Sequence, residues 1–506
     1  MAFTRQNVWE LGGDWADPIL WYARGVKAMQ ARALNDPTSW RFFGAIHGFD
    51  PSLWQQLGFL SEGDQPPSDA DAKKYWAQCQ HGSWYFLPWH RGYLLAFEAV
   101  VRDAITRAGG PGASWALPYW NYFKPNENQL PAAFASPDWP DGSGDNPLFV
   151  AQRFGPASDG NVFIPTDQVD QNALGDTSFV GPGAGGSPGF GGIATGFSHG
   201  GGSQGGVESQ PHDMVHVLVG GGDDTNPGLM SVPDLAGLDP IFWLHHANID
   251  RLWEVWNSSS PSHSDPGEAT WVQGPASTGD RAFVMPMPGG TSLTYTPADM
   301  SSIATLGYAY DDLSPPALPQ IAMRRRRLGM APTDLPGRVS MPEHVELLGA
   351  SSAGFSLTGS GASAAVQLDH AVRGRVSSSL QGMAGGPSAP DRIFLNLENV
   401  RGLNDATVFS VYINVPEGDD PSKHPELKAG SIGLFGLSKA SAMDGPHAGD
   451  GLTFVIEVTH VIDTLHLAGA LNVNQLHVRL VPLRPVPEAK PVTIGHLTIF
   501  RQSQSP

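Results

Sequence analysis

Residues 80–98 read Q-H-G-S-W-Y-F-L-P-W-H-R-G-Y-L-L-A-F-E, with Cys79 directly before them. From His90 onward the apolar positions Leu94, Phe97 and Val101 recur at helical spacing, which predicts a helix with one buried stripe. His90 opens that stripe and therefore faces the core. A buried imidazole costs desolvation energy unless a hydrogen bond or a metal uses its ring nitrogens. His81 lies earlier, in an irregular aromatic segment.

Working outward, the pattern recurs. Ser39 to His47 reads as a short helix with Trp40, Phe43 and His47 on one face and Gly48 as its stop. Downstream, P-H-D-M-V-H-V carries His212 and His216, spaced to put both rings on one helix face. Then D-P-I-F-W-L-H-H-A-N-I-D-R-L-W-E-V-W starts at Asp239. Asp239 suits an N-cap and Pro240 a first helical position, so a helix is expected to about Trp256. Phe242, His246, Ile249, Trp253 and Trp256 keep helical spacing, but the helix is apolar on most sides and periodicity does not separate His245 from His246. Alone, H-x-x-x-H reads as zinc. There is no H-E-x-x-H glutamate, however, and four further histidines sit in comparable contexts.

Both blocks resemble the copper-A and copper-B signatures of the tyrosinase, catechol oxidase and molluscan haemocyanin family. The first is carried by His81, Phe86, Trp89, His90, Arg91 and Glu98, the second by Asp239, Pro240, Phe242, His246 and Asp250. The resemblance covers roughly Arg5 to Tyr310 and, more weakly, the C-terminal part. It implies two copper ions, one held by His47, His81 and His90 and the other by His212, His216 and His246. Family spacing to Asp250 selects His246 and leaves His245 as a packed, hydrogen-bonded neighbour. His199, His344, His370 and His477 lack a ligand context. Cys79-x-His81 resembles fungal tyrosinases and haemocyanins, in which the sulfur is joined to the histidine ring; the resemblance implies a Cys79–His81 thioether, with a buried free thiol as the alternative.

Glu208 stands four before His212, where related plant enzymes hold a water over the site, and Asp213 stands where many tyrosinases have Asn. The resemblance implies that this pair handles the phenolic proton, although Asp213 also reads as a helix-end acid. Pro233, beside Val232, falls where the family often places a gate, and neither is a bulky Phe, which reads as an open entrance. Tyr308 and Tyr310 resemble the family's closing Y-x-Y element, for which Arg5 is the expected partner. The implied activity is a copper-dependent phenol oxidase that hydroxylates monophenols and oxidises o-diphenols to o-quinones with dioxygen, the chemistry of melanin formation. A catechol oxidase limited to diphenols and an o-aminophenol oxidase are the alternatives. A haemocyanin-like carrier fits poorly with a small chain without repeats.

Length and charge bound the rest. The chain has 506 residues, too many for one core. Its 49 acidic against 30 basic residues give a net charge of −19, which argues against nucleic acid and anionic membrane as partners. A single cysteine rules out a disulfide framework. The first residues show no apolar leader and no long apolar run follows, so the expectation is a cytoplasmic protein. The expected partners are phenolic small molecules and dioxygen, with a homo-oligomer and a copper chaperone left open. The expected layout is multidomain: a mainly α catalytic domain over 1–312 with the dicopper site in a four-helix bundle, a Pro/Arg-rich linker over 313–344, and an all-β sandwich over 345–506. The linker's Arg324 to Arg327 reads as a protease target. The last region shows short β-rich runs between Gly, Pro and Asp turns; by resemblance it shields the copper site, with plug candidates near Leu434 to Met443. The glycine-rich stretch Pro182 to Gly206 reads as flexible.

Overall fold

The computed structural model describes residues 3–223, 225–316, 344–369, 391–445 and 448–503. Arg324 to Arg327 lie outside these. Contacts divide the chain into two units. The first comprises residues 1–170, 195–200 and 211–315; the second comprises 171–194, 201–210 and 316–506. The glycine-rich stretch is thus shared out: its residues 182–194 and 201–206 go with the second unit, where Ser187 N donates to the Gln502 side chain (2.7 Å), and 195–200 with the first.

The first unit is built on α1 (Asp17–Gln30), α2 (Trp40–His47), α3 (Phe86–Arg107), α4 (Met214–Gly220) and α5 (Pro240–Ser259). Ser39 caps α2 by accepting from Phe42 N. Gly48 ends α2 in extended backbone (φ −163°) rather than a left-handed cap; a Cβ there would meet the Asp234 Cα at 2.8 Å, so close approach explains the glycine. α1 opens on Asp17 and Pro18, and Ala16 before them offers no side-chain cap. α3 begins a turn earlier than the apolar stripe indicated, because Pro88 sits in the first turn, where a missing N–H costs nothing.

α1 and α5 both pack on α3. On the α5 side, Phe97 stacks on Trp243 at 3.5 Å and 8°. Four of the six histidines singled out in the sequence lie on four different helices, His47 on α2, His90 on α3, His216 on α4 and His246 on α5. Two helices are long and two short, and His81 and His212 lie outside all of them.

α3 and α5 are clamped by buried charge. Arg5 pairs with Glu98 (2.9 Å) and with Asp250 (3.0 Å), and Arg91 pairs with the other oxygen of Asp250 at 2.5 Å. Tyr308 and Tyr310 donate to Asp250 at 2.7 and 2.5 Å, and the Arg5 guanidinium lies 4.1 Å from the Tyr308 ring centre. Strand Phe3–Arg5 runs parallel to Tyr308–Tyr310 and carries Arg5 in. Burial alone would raise both carboxyls, but Arg91 and Arg5 hold Asp250 below its ordinary range, and Arg5 and Arg102 do the same for Glu98. Such a cluster is tolerable in a core because every member is paired.

The second unit contains one sheet of nine strands: β1 (Gly202–Ser203), β2 (His344–Ser351), β3 (Ala362–Leu368), β4 (Arg392–Val400), β5 (Val408–Ile413), β6 (Lys428–Gly433), β7 (Leu452–Glu457), β8 (Gln475–Pro482) and β9 (His496–Ser503), in the order β6-β5-β8-β3-β2-β9-β4-β7-β1. All pairings are antiparallel except β7 with β1. The expectation of two stacked sheets is corrected here: β9 pairs with both β2 and β4, so the ladder runs unbroken, and the sheet curls until β6 meets β7 at Gly430 and Ile456. α6 (Thr459–Leu467) closes this end, with His460 donating to the Lys428 carbonyl at 2.9 Å. Leu434, Leu437 and Ala440 belong to the unit's own core, while Met443 is exposed.

Candidate metal centre

Six histidines converge in the first unit, and what the far ring nitrogen of each one touches is the informative feature. His47, at the end of α2, donates from Nδ1 to the Pro233 carbonyl at 2.8 Å. His90, in the second turn of α3, donates from Nδ1 to the Phe86 carbonyl at 2.8 Å, which the early helix start makes available. His81 is held in extended backbone, with its Nδ1 3.3 Å from the Cys79 sulfur. His212 sits in the kinked segment Glu208–Asp213 that leads into α4, where Gln210 is extended (φ −138°, ψ 117°), and its Nδ1 meets the Asp213 carboxylate at 2.7 Å. His216 on α4 donates from Nδ1 to the Met230 carbonyl at 2.8 Å. His246 on α5 brings its Nε2 to 3.3 Å from that of His216.

Ring centres of His47, His81 and His90 lie 5.2 to 5.7 Å apart. Those of His212, His216 and His246 lie 4.5 to 5.5 Å apart. The two triads touch, His90 stacking on His246 at 4.4 Å. Phe86 and Phe242 wall the cluster, at 4.7 Å from His212 and 4.2 Å from His246. All six are buried. Burial first, and neighbouring imidazoles next, push the pKa values of His81, His90, His212, His216 and His246 well below the ordinary range. The rings are therefore neutral, the form that binds a metal.

The donor set fits a metal. His90 Nε2 and His246 Nδ1 are buried without a hydrogen-bond partner among the described residues. Ligand atoms of His47, His90 and His246 lie within 4.8 Å of one another, as do those of His212, His216, His245 and His246, and those of His47, Cys79 and His81. His245 is thus inside the second group by distance. It differs from His246 in that Tyr122 lies 3.3 Å from its Nδ1, and burial pushes its pKa down to about 3.

Asp213 is buried against His212, whereas Glu208 falls in the second unit and is also buried. Pro233 opens a short buried helix and contributes its carbonyl to His47. Sequence reading missed the acceptors at Pro233, Met230 and Phe86, as well as Tyr122 and His199; only His90 with Phe86 carries a spacing signal, that of one helical turn.

Residues 37–186 and 161–259 match the common central domain of tyrosinase, and residues 344–502 match a domain of unknown function. A tyrosinase from Hahella sp. (strain CCB-MM4) is 33% identical, with 99% of each chain covered. The chain belongs to the tyrosinase family. It is an oxidoreductase, a copper phenol oxidase of a dicopper family that acts on phenols with dioxygen. Polyphenol oxidase A1 of Vicia faba is 29% identical over 58% of the chain, which spans 45% of that protein's length. Among solved structures, latent apple tyrosinase superposes with a TM-score of 0.60 at 21% identity, covering 99% of this chain and 97% of that one. The likeness shows a shared fold, with a helical core and a C-terminal β region. No described helix of this tyrosinase-family chain is long and apolar enough to cross a membrane.

Proposed function

We propose that the chain carries out both tyrosinase reactions, hydroxylating monophenols at the ortho position and oxidising o-diphenols to o-quinones. The proposed holders of two copper ions are His47, His81 and His90, and His212, His216 and His246. When bound, the copper pair supplies dioxygen activation and takes up the electrons of the phenol. The observation that carries the reading is the Nδ1 pattern: His47, His90 and His216 each donate to a backbone carbonyl, and His212 to a carboxylate. Each such bond places the ring proton on Nδ1 and frees the Nε2 lone pair for a metal. Phe86 and Phe242 exclude water from the rings.

Asp213 fixes the tautomer and orientation of His212. Glu208, four residues before His212 in the chain, is assigned the phenolic proton. The 3.3 Å between Cys79 sulfur and His81 Nδ1 supports a thioether that locks the His81 ring. The second reading, a catechol oxidase, is favoured by Asp213 itself, since one carboxylate oxygen is committed to His212.

Oxygen uptake by the copper-loaded full-length protein, with tyrosine and with its ortho-diphenol counterpart in parallel, is the test. Uptake with both supports the proposal. Uptake with the diphenol alone makes the protein a catechol oxidase. Uptake with neither, at full copper content and after cleavage at Arg324 to Arg327, overturns it.

A further inference from the structure

His199 lies in the glycine-rich stretch, and its spacing to the other histidines says nothing. The structure gives it a place. Residues 195–200 are laid along the segment that carries Cys79 and His81: His81 N donates to the Ser198 carbonyl (3.2 Å), Ser198 N to the Gln80 side chain (3.0 Å) and Ser198 Oγ to the His81 carbonyl (2.8 Å). Gly200, Gly201 and Gly202 then carry φ of +104°, +82° and +78°, a run open to glycine alone at low cost, so the composition of this stretch serves the exit from that docked segment. His199 Nδ1 donates to the Cys79 carbonyl at 2.9 Å and lies 3.1 Å from the Cys79 sulfur, which itself sits 3.3 Å from His81 Nδ1.

We infer that His199 is a positioning residue that holds the Cys79 sulfur against the His81 ring for formation of the thioether. The inference rests on the thioether reading given above. A cysteine side chain left to itself samples three staggered rotamers. Here one imidazole, anchored on the residue's own carbonyl, selects the rotamer that leaves sulfur and ring in contact. The bond joins Sγ to a ring carbon flanking Nδ1; the S–H and that C–H break, and two protons and two electrons leave. Dioxygen, the co-substrate of the established activity, takes them up as hydrogen peroxide. Holding the reacting pair at contact distance is where His199 acts, and its loss should slow bond formation on the order of 10- to 100-fold.

The test uses the full-length protein loaded with copper under nitrogen and then exposed to air. Samples are denatured at intervals, alkylated, digested and weighed, so that the peptide containing Cys79 and His81 reports its own cross-linking. The wild-type peptide should become lighter by two hydrogens and resist alkylation. His199→Ala should keep its copper, stay alkylatable and cross-link at the slowed rate. His199→Gln, which keeps an N–H for the Cys79 carbonyl, should recover most of the rate and serves if His199→Ala fails to fold. An unchanged rate in His199→Ala overturns the role of His199 and leaves the copper assignment intact. A wild-type peptide that never loses the two hydrogens, at full copper content and with active oxygen uptake, overturns both the bond and His199, but not the phenol oxidase reading.

Discussion

His47, His81 and His90 come from three separate pieces of chain: the end of α2, an extended segment and the second turn of α3. Their Nδ1 atoms meet a carbonyl, a sulfur and a carbonyl. His212, His216 and His246 come from a turn and two helices, and one of them, His212, meets a buried carboxylate. The first triad is thus oriented by neutral groups, two of them near in the chain and one, Pro233, far from its histidine; the second is oriented partly by a charge on its own neighbour. A carboxylate behind an imidazole makes the opposite nitrogen a better donor. The two proposed copper sites should therefore differ in what loosens them.

The largest effects should come from the rings. His90→Ala and His246→Ala should each empty their own triad of copper and abolish oxygen uptake, as metal analysis and an oxygen electrode would show; turnover surviving in either breaks the comparison at its base. Next is the clamp that the triads share. Asp250→Asn leaves Arg91 and Arg5 short of a buried counter-charge and should cost about 3–5 kcal/mol of stability, read by thermal unfolding of the metal-free protein. It should loosen both triads alike, and loss of copper from one alone would show that the clamp serves one side. Because the folded state holds Asp250 and Glu98 below the ordinary carboxyl range, their contribution is complete above about pH 4 and is lost as pH falls through the folded values. Acid unfolding of the wild type should be steeper in that window than that of Asp250→Asn.

A smaller and one-sided effect is expected at Asp213. Asp213→Ala should weaken copper at the second triad about 10- to 100-fold and spare the first. Asp213→Asn keeps an acceptor, and should change the ratio of monophenol to diphenol rates more than the copper content. Equal losses at both triads in Asp213→Ala would remove the charge-based distinction. The smallest effect belongs to Tyr122→Phe, which deletes the hydroxyl beside His245. It should cost about 1 kcal/mol of stability with copper unchanged at either triad; a fall in copper at the second would make His245 part of its support.

The helices bearing His47, His90 and His246 were legible because apolar spacing is a property of the chain itself, and the cap at Asp239 marked the start of the last of them. The start of α3 was misjudged because Phe86 and Leu87 precede the stripe and look like the aromatic segment before them. The β-rich texture of the C-terminal region was legible as well, but not its closure into a curled sheet, since pairing of β9 with two partners is a choice among strands of similar composition. Arg5 with Tyr308 and Tyr310 was anticipated from resemblance; that Glu98 and Asp250 are their counter-charges was not.

By itself the sequence determined which side chains could serve as donors, since imidazole chemistry and helical phase belong to residue type and local spacing. Only the tertiary structure decided how each ring is turned. Three of the rings, His47, His90 and His216, are turned by backbone carbonyls, which every residue carries and no motif marks, and Pro233 and Met230 become acceptors only because the fold delivers them. The same holds for His199, a residue without any pattern until the chain lays it beside Cys79.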